Sequence, residues 1–389
     1  MIFITSLINP DDVEDIVKKY KTIISAADNK LQQAILDGLC ENVENEELIV
    51  LNVPNVPSFS KNSQVRIIDS KQWNYKNAKC YQIGFVNLPI LKHCLIQYNL
   101  EKVLAKFKKQ PVLIYSPYLS FLRPVEKLGF SDSAAVVIAD FPDLYNMKFN
   151  NRLKQNIYDF SVKKTYETLK KFKNYVLLSE HMKERLPAAE DYIVVEGMTN
   201  MTSFSGDSIS FSEKAVLYSG ALHFNTGIRH LIEEFQKIKS EGVELWICGS
   251  GEADEYLKQM SGQDGRIRYF GLLSLEEVKE LQNKCSIMVN PRKPEMLFSR
   301  YSFPSKTFEY LVSGKPTVMY KLPSIPAEYD DYLYYIDDEN SLSEIIDRIF
   351  NTDKDILLER GLKQIDFVLN EKNYITQTKK IYRFLNKDN

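Results

Sequence analysis

"KAVLYSGALHFNTGIRHLIEEF" (residues 214–235) decides the fold. Ala215 to Ser219 form a short, unbroken run dominated by apolar residues, the kind of strand that lies buried on both faces of a parallel sheet. Gly220 ends the run, and "GIRHLIEEF" reads as a helix. The alternation continues through "VELWICGSG", the helix "EADEYLKQMS", "RIRYFG", the helix "SLEEVKELQNK" and "CSIMVNP". It then passes through "SRYSFPSKTFEYLVSGKPTV" (residues 299–318), "KPTVMY", "YLYYID" and the helix "SLSEIIDRIF". Strands alternating with helices predict a doubly wound α/β sheet.

Working outward, the same pattern holds toward the N-terminus. "MIFITSL", "ELIVLNVP", "AKCYQIGFVN", "QPVLIYSP", "AAVVIAD" and "NYVLLSE" read as strands. Helices are expected over 11–21, over "KLQQAILDGLCENV" and over 91–109. "TSFSGDSISFSE" (residues 202–213) is polar and serine-rich, the composition of a linker. Three segments follow: an N-terminal domain over 1–204, a second over 205–370, and a last amphipathic helix within 371–389.

Bulk properties narrow the function. A chain of 389 residues is long enough for two domains, and 44% apolar residues suffice for two cores. A net charge of −2 argues against binding nucleic acid through a bulk basic field. Cys40, Cys80, Cys94, Cys248 and Cys285 are scattered with no C-x-x-C pair, which reads as reduced thiols inside cores. The opening "MIFITSLINPDD" lacks a basic, apolar signal, and no run of eighteen apolar residues spans a membrane. A cytoplasmic protein is expected.

In open α/β sheets, ligands bind outside the carboxyl ends of the strands. Gly220, residues 249–252, Gly271, residues 290–293 and the first turn of the helix in 299–318 all follow strands, so they are expected to share one crevice. In that last stretch Phe308, Leu311 and Val312 share one helix face, and Gly314 with Pro316 stops the helix. Ser302, Ser305, Lys306 and Glu309 gather on the polar face.

The order and spacing of "VLYSGALHFNTGIRHLIEEF", "LWICGSGE", "RIRYFGLLSLEEVKELQNKCSIMVNPR" and "FPSKTFEYLVSGKPTV" resemble the nucleotide-sugar half of family 4 glycosyltransferases, which have the GT-B fold. Upstream, "VVIADFPDLY", "YVLLSEHMKERL" and "IVVEGM" look like the acceptor half of bacterial polysaccharide-building members. The resemblance implies two Rossmann-like domains facing a cleft, the last helix crossing back to the first. It implies retaining transfer from a nucleotide-diphosphate sugar, UDP-sugar favoured, to a glycan or lipid-linked acceptor, with no metal and no other cofactor.

On this reading the breaking glycosyl–phosphate bond needs positive charge from the protein itself. Helix-start amides at Ser305, Lys306 and Thr307, the Lys306 ammonium and the Arg292 guanidinium would supply it. Glu309 matches the glutamate that accepts hydrogen bonds from the donor ribose. Gly220 allows close backbone approach, His223 faces the expected cleft, and Leu272 lies by the base. Tyr301 stands where the family usually shows a first glutamate, eight positions before Glu309. Ala221 and Thr226 replace an Arg and a Lys. Asp140 stands where many members carry a histidine, and Asp140 and Glu196 are the expected acceptor-side residues. Lys306, Arg292 and Asp140 are the expected catalytic residues.

The pairs Asp330–Asp331 and Asp337–Asp338 read as polar loops rather than metal ligands. Basic residues beside aromatics, at Lys18, Lys19 and Lys21, at Lys102, Lys106, Lys108 and Lys109, and over 163–175, suggest a peripheral contact with anionic lipid. Two rival readings keep the fold. One is a catalytically silent glycan-binding or partner subunit; the other is a nucleotide-sugar 2-epimerase. A third, a metal-dependent transferase of another fold, fits the strand order poorly.

Overall fold

A computed structural model describes residues 1–8, 26–44, 46–60, 65–89, 91–144, 148–149, 151–186, 191–203 and 209–387. The helix expected over 11–21 lies outside the described residues. The chain divides into two compact units, Met1–Asn200 with Tyr374–Asn389, and Met201–Asn373.

The first unit runs β1 (Ile2–Thr5), α1 (Ala26–Asn42), β2 (Leu48–Asn52), β3 (Ile67–Ile68), β4 (Lys71–Tyr75), β5 (Ala78–Gln82), β6 (Phe85–Val86), α2 (Leu91–Leu104), β7 (Val112–Tyr115), α3 (Leu119–Lys127), β8 (Ala134–Ile138), α4 (Arg152–Leu169), β9 (Asn174–Leu177) and β10 (Asp191–Val194). Eight strands form one sheet in the order β10-β9-β8-β7-β1-β2-β5-β4. Every pairing is parallel except that of β4 with β5. Strands β1, β2, β7 and β8 are buried at every position, as unbroken apolar runs require.

"AKCYQIGFVN", expected as one strand, is two. β5 ends at Gln82 and β6 pairs antiparallel with β3 in a separate ribbon. The break falls at Gly84, where a Cβ would sit 2.6 Å from Ser70 Oγ and 2.9 Å from the Ile68 carbonyl.

The second unit runs β11 (Ala215–Ser219), α5 (Ile228–Phe235), β12 (Glu244–Cys248), α6 (Asp254–Gln263), β13 (Ile267–Tyr269), α7 (Leu275–Lys284), β14 (Ile287–Asn290), α8 (Leu297–Tyr301), α9 (Lys306–Val312), β15 (Thr317–Tyr320), β16 (Leu333–Ile336), α10 (Leu342–Phe350) and α11 (Lys354–Glu371). Its six strands, all parallel, stand in the order β13-β12-β11-β14-β15-β16. Local signals fix the helix starts. Ser274 with Glu277 and Ser341 with Glu344 form capping boxes on α7 and α10. One core lies between the sheet and α5 and α10; another packs Tyr310 of α9 against Leu217, Trp246 and Met288.

The last helix, expected over about 371–385, is present as one helix that starts three residues later. α11 ends at Glu371, and α12 (Tyr374–Leu385) begins after two buried residues. Lys372 at the break donates to Glu328 Oε1 at 2.5 Å and lies over the Tyr329 ring at 5.1 Å. The Tyr374 amide donates to the Thr199 carbonyl at 2.9 Å. α12 packs on α1, and Ile381 and Phe384 join the first unit's core.

One buried lysine in the first unit is displaced from its ordinary titration range by its surroundings. Lys92 of α2 lies under the surface, donates to the Val56 carbonyl and sits 5.6 Å from the centre of the Phe85 ring. Burial lowers its pKa from 10.5 to about 8. A group depressed in the folded state favours folding above its unfolded value, and that contribution is lost as pH falls through the folded value. Stability owed to Lys92 therefore rises from about pH 8 to pH 10.5. The expected gain is on the order of 3 kcal/mol, and Lys92→Met should remove that rise from urea-unfolding curves taken across the window.

Candidate functional site

The strand order of the second unit reverses between β11 and β14. That is the switch point where an open α/β sheet leaves a crevice at the carboxyl ends of its strands. Four loops meet there. The Gly220 amide donates to the Cys248 carbonyl at 3.0 Å, and the Leu222 amide to the Ser250 carbonyl at 3.1 Å. The Gly249 amide donates to the Gly271 carbonyl at 2.8 Å. A Cβ on Gly227 would lie 2.1 Å from the Pro291 carbonyl, so the loops after β11 and β14 also touch. The loops after these four strands contact one another at the carboxyl ends of the strands.

Glycine is required here for a steric reason. Gly249 has φ +139°, and a Cβ there would stand 1.9 Å from the Gly220 carbonyl oxygen. A side chain would push apart the two loops that form the crevice floor.

The first turn of α9 stands over this floor. Tyr310, fully buried one turn into α9, accepts from the Ser219 amide at 3.2 Å and donates to the Ser219 carbonyl at 3.3 Å. That bond pair fixes the helix to the end of β11. Lys306 reaches toward the end of β12: burial pushes the Cys248 thiol up to about 11, and the Lys306 charge acts against that rise. Lys306 Nζ lies 2.9 Å from Glu309 Oε2, both side chains about one-third exposed. The polar face read from sequence is thus a paired ammonium and carboxylate.

The other expected donor-side residues fall around this pair in different states. Ser305 is exposed, with its side chain making no cap bond to the helix. Thr307 does not present its amide, which is a correction. The chain enters α9 through a tight turn in which that amide donates to the Pro304 carbonyl at 2.9 Å. Its hydroxyl is buried and, among the described residues, has no hydrogen-bond partner. His223 is half exposed, its Nδ1 3.9 Å from Glu252 Oε1. Leu272, next to Gly271, is 77% exposed.

Arg292 and Tyr301 are turned toward protein. Arg292 is buried; its Nε donates to Ser299 Oγ at 3.0 Å and its Nη2 to the Phe298 carbonyl at 2.7 Å. Its guanidinium lies 4.4 Å from the centre of the Phe298 ring. These contacts make it a brace for the loop after β14. Tyr301 is 8% exposed at the end of α8.

In the first unit the sheet reverses between β1 and β7. Asp140 follows β8, and its Oδ1 accepts from the Phe141 amide at 2.8 Å. Glu196 is buried just after β10. Sequence reasoning missed a neighbouring group: Asp28, in the first turn of α1, accepts from Tyr115 Oη at 2.8 Å and from Gln32 Nε2 at 3.0 Å. Burial raises the Asp28 pKa above the usual carboxylate range. Burial likewise pushes Tyr118 up to about 12, with the charges of Asp28 and Asp140 adding to the rise. Ser116, between β7 and Tyr118, holds φ +67°. Ser116 and Asp28 carry no motif, so only the tertiary placement reveals them.

Comparison with known proteins follows the division into units. The family model described as Glycosyl transferases group 1 matches residues 213–352, so the second unit carries a glycosyltransferase domain. No curated protein sequence matches the chain. Among solved structures, an Escherichia coli trehalose-6-phosphate structure bound with UDP-2-fluoro glucose is similar at 9% identity and TM-score 0.67, over 99% of this chain and 98% of that one. Sucrose-phosphate synthase from Thermosynechococcus elongatus is similar at 12% identity and TM-score 0.61, over 100% and 99%. The lipopolysaccharide outer core galactosyltransferase WaaB is similar at 15% identity and TM-score 0.59, over 100% and 99%. The chain has the GT-B fold, with two Rossmann-like domains.

Proposed function

We propose that this chain is a retaining family 4 glycosyltransferase of the bacterial polysaccharide type. It transfers a sugar, a hexose in the first instance, from a nucleotide-diphosphate donor to a glycan or lipid-linked acceptor in cell-surface polysaccharide assembly, from the cytoplasm. UDP-sugar is the favoured donor. The observation that carries the reading is the position of the Lys306–Glu309 pair, fixed by Tyr310 over the end of β11 at the switch point of the unit that matches the family.

In this reading Glu309 accepts from the donor ribose, since a carboxylate receives two adjacent hydroxyls. The Ser305 and Lys306 amides and the Lys306 ammonium hold the diphosphate, and the Thr307 hydroxyl adds a donor. Gly220, His223, Leu272 and Tyr301 border the donor, and Arg292 acts by holding the loop after β14. Asp140 and Glu196 belong to acceptor binding. The sugar leaves and is attacked on the same face. The leaving phosphate oxygen takes the acceptor proton, so no separate base is required, and no metal takes part.

The test is a thermal-shift screen of UDP-, GDP- and ADP-sugars, then transfer or donor hydrolysis in the presence of EDTA. The largest shift is expected with a UDP-sugar, and turnover is expected to survive chelation. Turnover that appears only with added manganese would sink the metal-free part. Tyr301, in place of the family's glutamate, favours a second reading, a silent partner subunit. Absence of both hydrolysis and transfer, with binding intact, would support that reading instead.

A further inference from the structure

We infer that the outward face of α4 is a docking surface for an anionic lipid bilayer, independent of the transferase reading. α4 has two apolar faces. Val162, Thr165 and Leu169 lie on the side that packs into the first unit, and α4 also rests on α3. On the other side Leu153, Ile157 and Phe160 are 68%, 41% and 59% exposed. At about 100° per residue these three fall within roughly 60° of arc, and that arc is centred ~150° from the buried row. Apolar side chains that large, aligned along about two turns and exposed, mark an interaction surface rather than scattered exposure. Phe149, just before the helix, is also exposed, and its ring packs edge-on against Tyr158 at 5.6 Å.

Charge selects the partner. α4 holds four Lys and Arg against two carboxylates, and Lys170, Lys171 and Lys173 follow directly. Residues 152–173 therefore carry a net charge of +5, of which +2 lies on the helix, within a chain of net charge −2. Of those two carboxylates, Glu167 is already paired with Lys164 at 2.7 Å, and Asp159 accepts from Gln155 at 2.9 Å. On the helix wheel Arg152 and Lys163 flank the stripe on one side and Lys154 on the other. The paired Lys164 and Glu167 continue the same face beyond Phe160, Lys164 Nζ lying 5.7 Å from the centre of that ring. An apolar stripe bordered by cations is the pattern of a helix lying in a bilayer interface, its aliphatic side chains among acyl chains and its lysines at anionic headgroups. A second copy of this chain would bring two such cationic faces together, so the charge disfavours self-association. No helix among the described residues is long and apolar enough to cross a membrane, and docking on the surface needs none.

Flotation of the full chain tests the assignment, with vesicles of phosphatidylcholine alone and of phosphatidylcholine mixed with phosphatidylglycerol. The chain should float with the mixed vesicles, not with phosphatidylcholine alone, and added salt should weaken the binding. The triple variant Leu153→Ser, Ile157→Asn, Phe160→Ser should lose about tenfold or more of the bound fraction. Its melting temperature should change little, because these side chains lie outside the buried row and the close contact among them is that of Lys164 over the Phe160 ring at 5.7 Å. Lys154→Glu with Lys163→Glu should reduce binding independently and covers the case of a triple variant that misfolds. Failure of the wild-type chain to float with either vesicle, or equal flotation of wild type and both variants, would overturn the proposal. So would unchanged flotation of the triple variant accompanied by loss of a dimer in light scattering, which would assign the stripe to a second copy.

Discussion

Lys306→Ala should lower kcat about a hundredfold while the KM for the nucleotide-sugar changes by only a few-fold. The nucleoside diphosphate gains negative charge as the glycosyl bond breaks, so a cation at the departing oxygen is worth more in the transition state than in the bound substrate. The ammonium stands about one-third exposed beside Glu309. Solvent therefore screens it, and the lower end of the range for lost electrostatic stabilisation applies. Lys306→Arg keeps the charge and should recover part of the loss. If Glu309 holds the ribose as proposed, Glu309→Gln should raise KM more than it lowers kcat, because such a contact serves substrate and transition state alike. Equal losses in kcat and in affinity for Lys306→Ala would reduce this lysine to uniform binding. Full activity would remove it from the site.

The second large effect is steric. Gly249→Ala should destabilise the protein by about 3 kcal/mol or more and abolish the donor-induced thermal shift. Two causes add. The backbone at φ +139° is closed to side chains, and the new Cβ would stand 1.9 Å from the Gly220 carbonyl oxygen. That oxygen cannot retreat without moving Gly220, whose amide is bonded to the Cys248 carbonyl. Gly262→Ala is the matched control. Gly262 lies inside α6, and a Cβ there meets nothing within 4 Å. Alanine at that position should stabilise the helix by about 0.5–1 kcal/mol. If both alanine variants melt alike, the crevice floor is not as rigid as its glycines require.

Much of this architecture is legible in the sequence, and the reasons are local. Four strands of the second unit, β11, β12, β14 and β15, fall within apolar runs, because strands buried on both faces leave a nearly unbroken signal. The edge strand β13 carries an exposed Arg268 and is legible only from its place in the alternation. β4 escapes that reading. "KQWNY" is an exposed edge strand, defined only by its antiparallel pairing with β5. α11 escapes it too, since Gly361 interrupts its pattern. A Cβ at Gly361 would lie 2.1 Å from the Gly314 carbonyl, so the glycine is kept for helix contact and not for a turn. At the candidate site, sequence spacing locates Lys306 and Glu309 on one face, yet it does not show that they pair. Nor does it show that Arg292 bonds to Ser299 and Phe298, because those acceptors come from the next helix and no motif records such a contact.

The chain's last helix belongs to the first unit, which bears on the timing of synthesis. Gly38 of α1 lets α12 approach so closely that a Cβ there would come within 2.4 Å of the Tyr374 carbonyl oxygen. Ile381 and Phe384 close the apolar surface of α1. Since domains tend to fold in the order of translation, the leading half emerges from the ribosome long before the segment that seals it. That half must wait, part-covered, while the trailing unit is made, so nascent chains are most exposed to aggregation or chaperone capture during that interval.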